Sequence, residues 1–475
     1  MDISKRKLSA IAALALFTYI FLTAEFRFDI RIGLLAGAGS VVVAQGLILG
    51  ASVIGFVGAA PLARRLGPSA PRYGTIVAAA VAAVGVVGIE IAPAANTLQA
   101  IGCVSFLALG ALGVAAHLAF ARAFDGDPRL ATGAGASYAG GILLQFATNL
   151  VVPTGAIEAL VLLIATAALT ACTARETVED DPMATDSTAW PGNVAAPLVD
   201  SATRPQPLGR ALWTVALIVI LACMFSTLDN VVTLSNAHGT IAVQTWPRLF
   251  LAASGLVAGL LFDLAERRYM GLIMFGITVL STISVLAVEA GASPNLGLIV
   301  FYLGSGFFVT FFTSAFCELA LRMRTPGLWA GMGRAANNAC AFTTAGISSA
   351  LVTSNNVPVI MICTVIMLAT ASVAFVAAGL FRLPQSAEER EHIARGEQAL
   401  AQPSVEEQRR AFIDEHGLTP REVDVLIAVT ASEEPLKQVA ESLGITLRMV
   451  QRHLTSIYKK TGTQTRAGLT KVFPS

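Results

Sequence analysis

Apolar runs long enough to cross a bilayer dominate this chain and leave few folds open to it. A membrane-spanning helix needs about 20 mostly apolar residues. Twelve such runs can be drawn, at about 8–25, 37–62, 73–92, 96–121, 131–152, 155–173, 209–233, 246–264, 270–290, 296–321, 328–353 and 357–381. In lipid every backbone polar group must find its partner within the protein, and runs of this length do so as helices. The fold class is therefore all-α: a polytopic bundle of about twelve helices followed by a polar tail. Composition agrees, since only 13% of residues are charged, about half the share of an ordinary soluble chain. That charge is concentrated in the connections and after residue 381.

The runs fall into two groups of six. Residues 174–208 separate them, with Glu179-Asp-Asp181, several prolines and many Ser and Thr, and read as a solvated linker. The organisation is then 1–173, first membrane half; 174–208, linker; 209–382, second half; 383–404, helical connector; and 405–475, tail domain. Lys5-Arg-Lys7 before Leu8–Ala24 has the look of a signal peptide, but the apolar run is long for one and reads as an uncleaved first span. With the N-terminus inside, sixteen Lys and Arg fall on the inner side and three (Arg27, Arg31 and Arg248) on the outer. The positive-inside rule then puts both termini in the cytoplasm.

The tail has the pattern of a small helical domain. Thr419, Pro420 and Glu422 form a capping box opening a helix, with Val423, Leu426, Ile427 and Val429 as its apolar face. A second helix, about Pro435 to Leu443, meets Gly444 and Ile445, and Thr446 caps a third, about Leu447 to Thr461. Helix, tight turn with Gly, helix is the helix-turn-helix arrangement. On the third helix Val450, Leu454, Ile457 and Tyr458 share one face, and Arg448, Gln451, Arg452, Thr455 and Lys459 are left outside. Those side chains suit base edges and phosphates. With Lys437 and Thr446 they are the candidate DNA contacts.

Leu418-Thr-Pro-Arg-Glu422, Lys437, Ala440, Leu443, Ile445, Val450, His453, Ile457, the Lys459/Lys460 pair and Arg466 together resemble the LuxR-type (NarL/GerE-like) DNA-binding domain over about 405–475. The resemblance implies four helices, DNA as partner, homodimers on paired half-sites and a bacterial inner membrane around the bundle. Gln451, Met449 and Pro435 depart from the usual pattern, which bears on affinity and target sequence.

A second, weaker resemblance is to the major facilitator transporters. Gly259-Leu-Leu-Phe-Asp263-Leu-Ala-Glu-Arg267-Arg268 is similar to their loop after the second span of a half. Gly58-Ala-Ala-Pro-Leu-Ala-Arg64-Arg65-Leu-Gly67 is a degraded partner, read with Arg64 in place of the acid. The resemblance implies a ligand cavity between the halves near mid-membrane. Polar groups deep within spans are the candidates for lining it: Gln45, Gln145, Asn149, Asp229, Arg334, Asn337 and Asn338. Asp229 could instead pair with Arg248. Glu90, His117, Glu158 and Glu318 lie near span ends and read as snorkelling, and mid-membrane acids look scarce. Trp213, Trp246 and Trp329 suit an interfacial belt. The six Cys show no disulfide or zinc spacing and read as packing residues.

No nucleophile with a base, no phosphate loop and no metal spacing points to catalysis or a cofactor. The reading is a membrane-embedded one-component transcription regulator. It would sense a small molecule through the bundle and bind DNA through the tail. The alternative is a major-facilitator-type transporter with an accessory regulatory tail.

Overall fold

The computed structural model describes residues 3–67, 70–152, 155–179, 208–237, 247–289, 294–354, 357–379, 405–431 and 434–473. Most of the 174–208 linker, the 383–404 connector and Trp246 lie outside them. The chain divides into two compact units, Met1–Arg382 and Leu383–Ser475. Every regular element among the described residues is helical.

The first unit contains α1 (Ile3–Ala36), α2 (Val41–Leu66), α3 (Ala70–Ile91), α4 (Ala95–Ala123), α5 (Leu130–Val151) and α6 (Ala156–Glu179). It continues with α7 (Leu208–Ala237), α8 (Pro247–Phe262), α9 (Met270–Glu289), α10 (Pro294–Ala320), the short α11 (Pro326–Ala330), α12 (Met332–Ser354) and α13 (Val357–Ala377). Six stretches among the described residues are long and apolar enough to cross a membrane: Lys5–Ala36, Ala38–Leu66, Ala70–Ile91, Ala95–Ala123, Ala156–Thr173 and Leu298–Ala320. Shorter apolar stretches lie in α7, α8, α9 and α13. The two remaining long helices, α5 and α12, are the more polar ones. They bury Gln145 and Ser137, and Arg334 and Asn338, within the bundle.

Water does not drive helices together inside a bilayer, so association rests on close packing and internal hydrogen bonds. Both are visible. Phe17, Phe21, Phe56 and Phe106 interlock around α1, α2 and α4 with edge and tilted rings 5.0–6.1 Å apart. In the later helices Phe262, Phe307, Phe308, Phe311 and Phe312 do the same. Between α5 and α8 the backbones nearly touch: a β-carbon on Gly259 would lie 2.5 Å from the Ala131 carbonyl oxygen. The small residues are there to let these helices approach.

Several expectations are corrected. The first helix does not stop at residue 25 but runs to Ala36, through Glu25, Arg27, Asp29 and Arg31. Each charge finds a partner inside the bundle, so none ends the helix. Arg27 Nε and Nη2 donate to the two Glu90 carboxylate oxygens at 2.6 Å, with Glu158 at 3.3 Å. Arg31 Nη2 donates to the Ala92 carbonyl at 2.9 Å. Glu90 and Glu158 therefore hold a buried arginine rather than snorkel. His117 is buried too, its ring between Phe17 and Phe56 and its Nδ1 2.7 Å from the Gly113 carbonyl. Glu318 pairs with Arg267 at 3.0 Å. Trp329 is buried against Phe316 and is not part of a lipid-facing belt. Cys223 of α7 and Cys340 of α12 form a disulfide, with Cα atoms 5.6 Å apart. No spacing signal could reveal that pair across 117 residues.

The end of the bundle where α5 begins is tied by polar contacts. Lys7 pairs with Asp127. Asp263, just past α8, accepts from the Ala131 and Thr132 backbone N–H groups at 3.0 and 2.6 Å. It thereby satisfies orphan donors at the start of α5 and sits at the positive end of the helix dipole. Arg267 reaches the Asp127 and Pro128 carbonyls as well as Glu318. The first-half counterpart does not have Arg64 in the acid's place. Arg64 and Arg65 are exposed, and Ala60 is what sits beside the start of α11, 3.3 Å from where a β-carbon on Gly327 would stand. Registered on their arginine pairs, the two stretches align Ala60 with Asp263.

The second unit contains α14 (Val405–Glu415), α15 (Pro420–Ala431), α16 (Leu436–Ser442), α17 (Leu447–Thr461) and α18 (Arg466–Val472). Phe412, Leu418, Val425, Leu426, Val429, Val439, Ala440, Val450, Leu454, Ile457, Leu469 and Phe473 form its core. The inward face of α15 is Glu422, Val425, Leu426 and Val429. Ile427, expected inside, is 46% exposed, because a one-residue error in register turns a side chain by about 100°.

Candidate functional site

A cavity of about 450 Å³ lies within the first unit, lined from α1, α2, α5, α7, α8, α10 and α12. It reaches Leu34 and Ala38, next to the α1–α2 connection, and so extends towards the end of the bundle opposite the Asp263 contacts. Its volume is in the range of small-molecule sites, about 300–1,000 Å³. Five of the seven residues anticipated from sequence line it: Gln45, Asp229, Arg334, Asn337 and Asn338.

Gln145 and Asn149 do not. Gln145 is fully buried two turns beyond Tyr138 on α5, with neither amide atom hydrogen-bonded. The residue that α5 sends to the cavity is Tyr138. Asn338 has a structural role as well, its Nδ2 donating at 2.8 Å to Ser52 Oγ and joining α12 to α2.

Glu25, Asp29 and Arg248 also line the cavity, and these the sequence reading missed. Gln45 Nε2 donates to Glu25 at 2.8 Å and to Asp29 at 3.1 Å, which places both carboxylates on one side of the chamber. The Arg334 guanidinium lies 5.8 Å from the ring of Phe21, one turn before Glu25 on α1, and 5.5 Å from Phe312, a cation–π setting from two sides. A signal was present in the sequence. Glu25 and Asp29 stand four residues apart, as do Arg27 and Arg31, so a helix carries the acids on one face and the bases on the other. Treating those charges as a helix end concealed the pattern.

In the second unit α17 presents the other candidate site. Thr446 caps it, its Oγ1 accepting from Met449 N at 3.4 Å, and Gly462 in the left-handed region ends it. Lys437, Thr446, Arg448, Gln451, Arg452, Thr455 and Lys459 are all exposed. Val450, Leu454 and Ile457 hold the opposite face in the core. Residues 447–461 contain no acid, so the exposed face is uniformly basic or neutral.

Lys460, unlike Lys459, belongs to the scaffold, donating to the Gly417 carbonyl at 2.8 Å and to Glu422 at 2.7 Å. Glu422 also accepts from Ser456 and from both the backbone N–H and the hydroxyl of Thr419. Burial pushes the Glu422 carboxyl up, but Lys460, Ser456 and Thr419 outweigh it and hold it down at about 2. The support this carboxylate gives α17 is full above the ordinary carboxylate range and is lost as pH falls towards that value. Arg466 fixes the last helix through the Val429 carbonyl at 3.0 Å and the Glu434 carbonyl at 2.6 Å.

Comparison with known proteins bears on both units. Residues 416–473 match the model of the bacterial regulatory proteins of the luxR family. They span α15 to α18, a LuxR-type helix-turn-helix DNA-binding domain. The fold of the helical bundle is that of the major facilitator transporters. The crystal structure of the human organic anion transporter MFSD10 (TETRAN) superposes with a TM-score of 0.52 at 12% identity, over 79% of this chain and 98% of that one. The E. coli fucose:proton symporter FucP gives 0.51 at 13% identity, over 81% and 100%. At such identities the likeness is one of fold. No curated protein matches the chain.

Proposed function

We propose that this chain, a LuxR-family DNA-binding domain carried on a major-facilitator-like membrane bundle, is a one-component transcription regulator. The bundle holds a small molecule in its charged cavity, and the tail binds DNA as a homodimer. The observation that carries the reading is the exposed face of α17, with Arg448, Gln451, Arg452, Thr455 and Lys459 outside and no acid among them. Lys437 and Thr446 flank that face on the approach to the groove. Arg448 and Arg452 read or grip the DNA, and the remaining residues position the helix. Both termini lie in the bacterial cytoplasm, where the chromosome is. A ligand can shift the bundle only by the difference in its affinity for two conformations, and that difference bounds the signal passed to the tail.

The test is chromatin immunoprecipitation of the tagged full-length protein beside an Arg448→Ala/Arg452→Ala variant. Discrete peaks in the parent and their loss in the variant are expected, since each base contact is worth about 1–3 kcal/mol. If neither the full-length protein enriches DNA nor the tail selects a sequence from a random pool, the regulator reading fails.

A second reading has one observation in its favour. Glu25 and Asp29 inside the cavity are acids of the kind that ion-coupled transport requires. Proton-driven uptake into vesicles that Glu25→Gln abolishes, alongside unchanged genomic occupancy, would make the bundle a transporter with a regulatory tail.

A further inference from the structure

The cavity holds acidic and basic groups whose hydrogen bonding is incomplete, and that narrows the chemistry of its ligand. Three carboxylates (Glu25, Asp29 and Asp229) face two guanidiniums (Arg248 and Arg334). Buried charge without a partner is costly, and here both signs carry unused bonding capacity. Asp29 Oδ1 accepts no hydrogen bond, and Arg334 Nε and Arg248 Nε donate none. Arg334 is 8% exposed and lies between the Phe21 and Phe312 rings. Those rings bind it without offering an acceptor in the plane of its N–H groups. Gln45 has committed its amide nitrogen to Glu25 and Asp29, which holds the two carboxylates together.

An organic anion would satisfy Arg334 but meet three carboxylates. A simple amine would satisfy the carboxylates and leave the buried guanidinium facing another cation. A molecule carrying both groups answers both ends. Resting on the reading of the cavity as the ligand site, we propose that it binds an organic zwitterion. The protonated amine sits against the Glu25–Asp29 pair and the acidic group against Arg334. An apolar or aromatic body lies among Phe225, Phe301 and Phe308, which line the same chamber.

The experiment measures thermal stabilisation and calorimetric binding on the full-length protein in detergent. Three matched sets of probes are used, each comprising an amino acid, the amine lacking its carboxylate and the acid lacking its amine. Their bodies are phenyl (phenylalanine, phenethylamine, 3-phenylpropionate), indole (tryptophan, tryptamine, indole-3-propionate) and isobutyl (leucine, isoamylamine, 4-methylvalerate). In at least one set the zwitterion is expected to bind about tenfold or more tighter than either partner, the worth of one charge-assisted hydrogen bond. Asp29→Asn should weaken the zwitterion and the amine while leaving the acid unchanged. Arg334→Gln should weaken the zwitterion and the acid while leaving the amine unchanged. Each variant's unliganded melting temperature identifies a folding defect, and the selective pattern is one that misfolding cannot produce.

The proposal is overturned if no zwitterion in the three sets binds, or if an amine or acid matches its zwitterion. Equal weakening of all three probes by both variants overturns it too. None of those outcomes touches genomic occupancy, so the regulator reading stands or falls separately.

Discussion

The two halves of the bundle meet at two comparable joints that are closed by different physics. At one, Asp263 reaches across to the start of α5 and accepts two backbone N–H bonds, while Arg267 grips the preceding turn. At the other, the start of α11 meets the apolar side chains of Ala60, Val114 and Leu118. Its first residue is Pro326, which has no N–H to satisfy and so needs less of a cap. One joint is directional and charged; the other is steric contact. Fold-level symmetry therefore does not make the two joints chemically equivalent, and opening this end of the bundle is expected to cost more along α5–α8 than along α2–α11.

That contrast can be broken from its strong side first. Asp263→Ala removes two charge-assisted hydrogen bonds and strands the α5 N–H groups, a loss of about 3 kcal/mol or more. A clear fall in the melting temperature of the purified protein is expected, and an unchanged melt would mean the joint bears no load. Next comes the close approach. Gly259→Ala would drive a β-carbon to 2.5 Å from the Ala131 carbonyl and 2.9 Å from Thr132 Cα, overpacking worth about 1–3 kcal/mol. Gly58→Ala in the first-half stretch meets nothing within 4 Å, so the same melt should show no loss. Equal effects from the two alanines would erase the distinction. The smallest effect sharpens it: Ala60→Asp offers the α11 start a carboxylate and should stabilise by about 0.3–1 kcal/mol through the helix dipole. Destabilisation would show that the steric joint has no room for a charge.

The same contrast between local and distant causes decides what the sequence reveals. The α17 bounds, its Thr446 cap and the division of Val450, Leu454 and Ile457 from the basic face all follow from residues within a few turns. They could be read directly. Arg334, Asn337 and Asn338 were legible as cavity residues because their spacing puts them on one helix face. Glu25 and Asp29 were missed, and Gln145 and Asn149 were misplaced, for a different reason. Their surroundings are set by other helices: Gln45 is 16 and 20 residues away, and Glu90 is 63 residues from Arg27. A hydropathy window reads a charge as an end. Only the packed bundle shows it to be a paired interior group, and only the packed bundle shows how far along α5 the cavity extends.

The long first helix joins the two kinds of partner. Successive residues advance by about 100°, so Glu25 and Asp29 project one way while Arg27 and Arg31 project nearly the other. The acids hold the cavity wall through Gln45, and the bases hold α3 and α6 through Glu90, Glu158 and the Ala92 carbonyl. Turning the helix to carry its acids out of the chamber must also wrench Arg27 from its carboxylates. α1 is thus a spindle keyed on both sides: a rotation that moves its acids in the cavity also strains the bonds that tie it to α3 and α6.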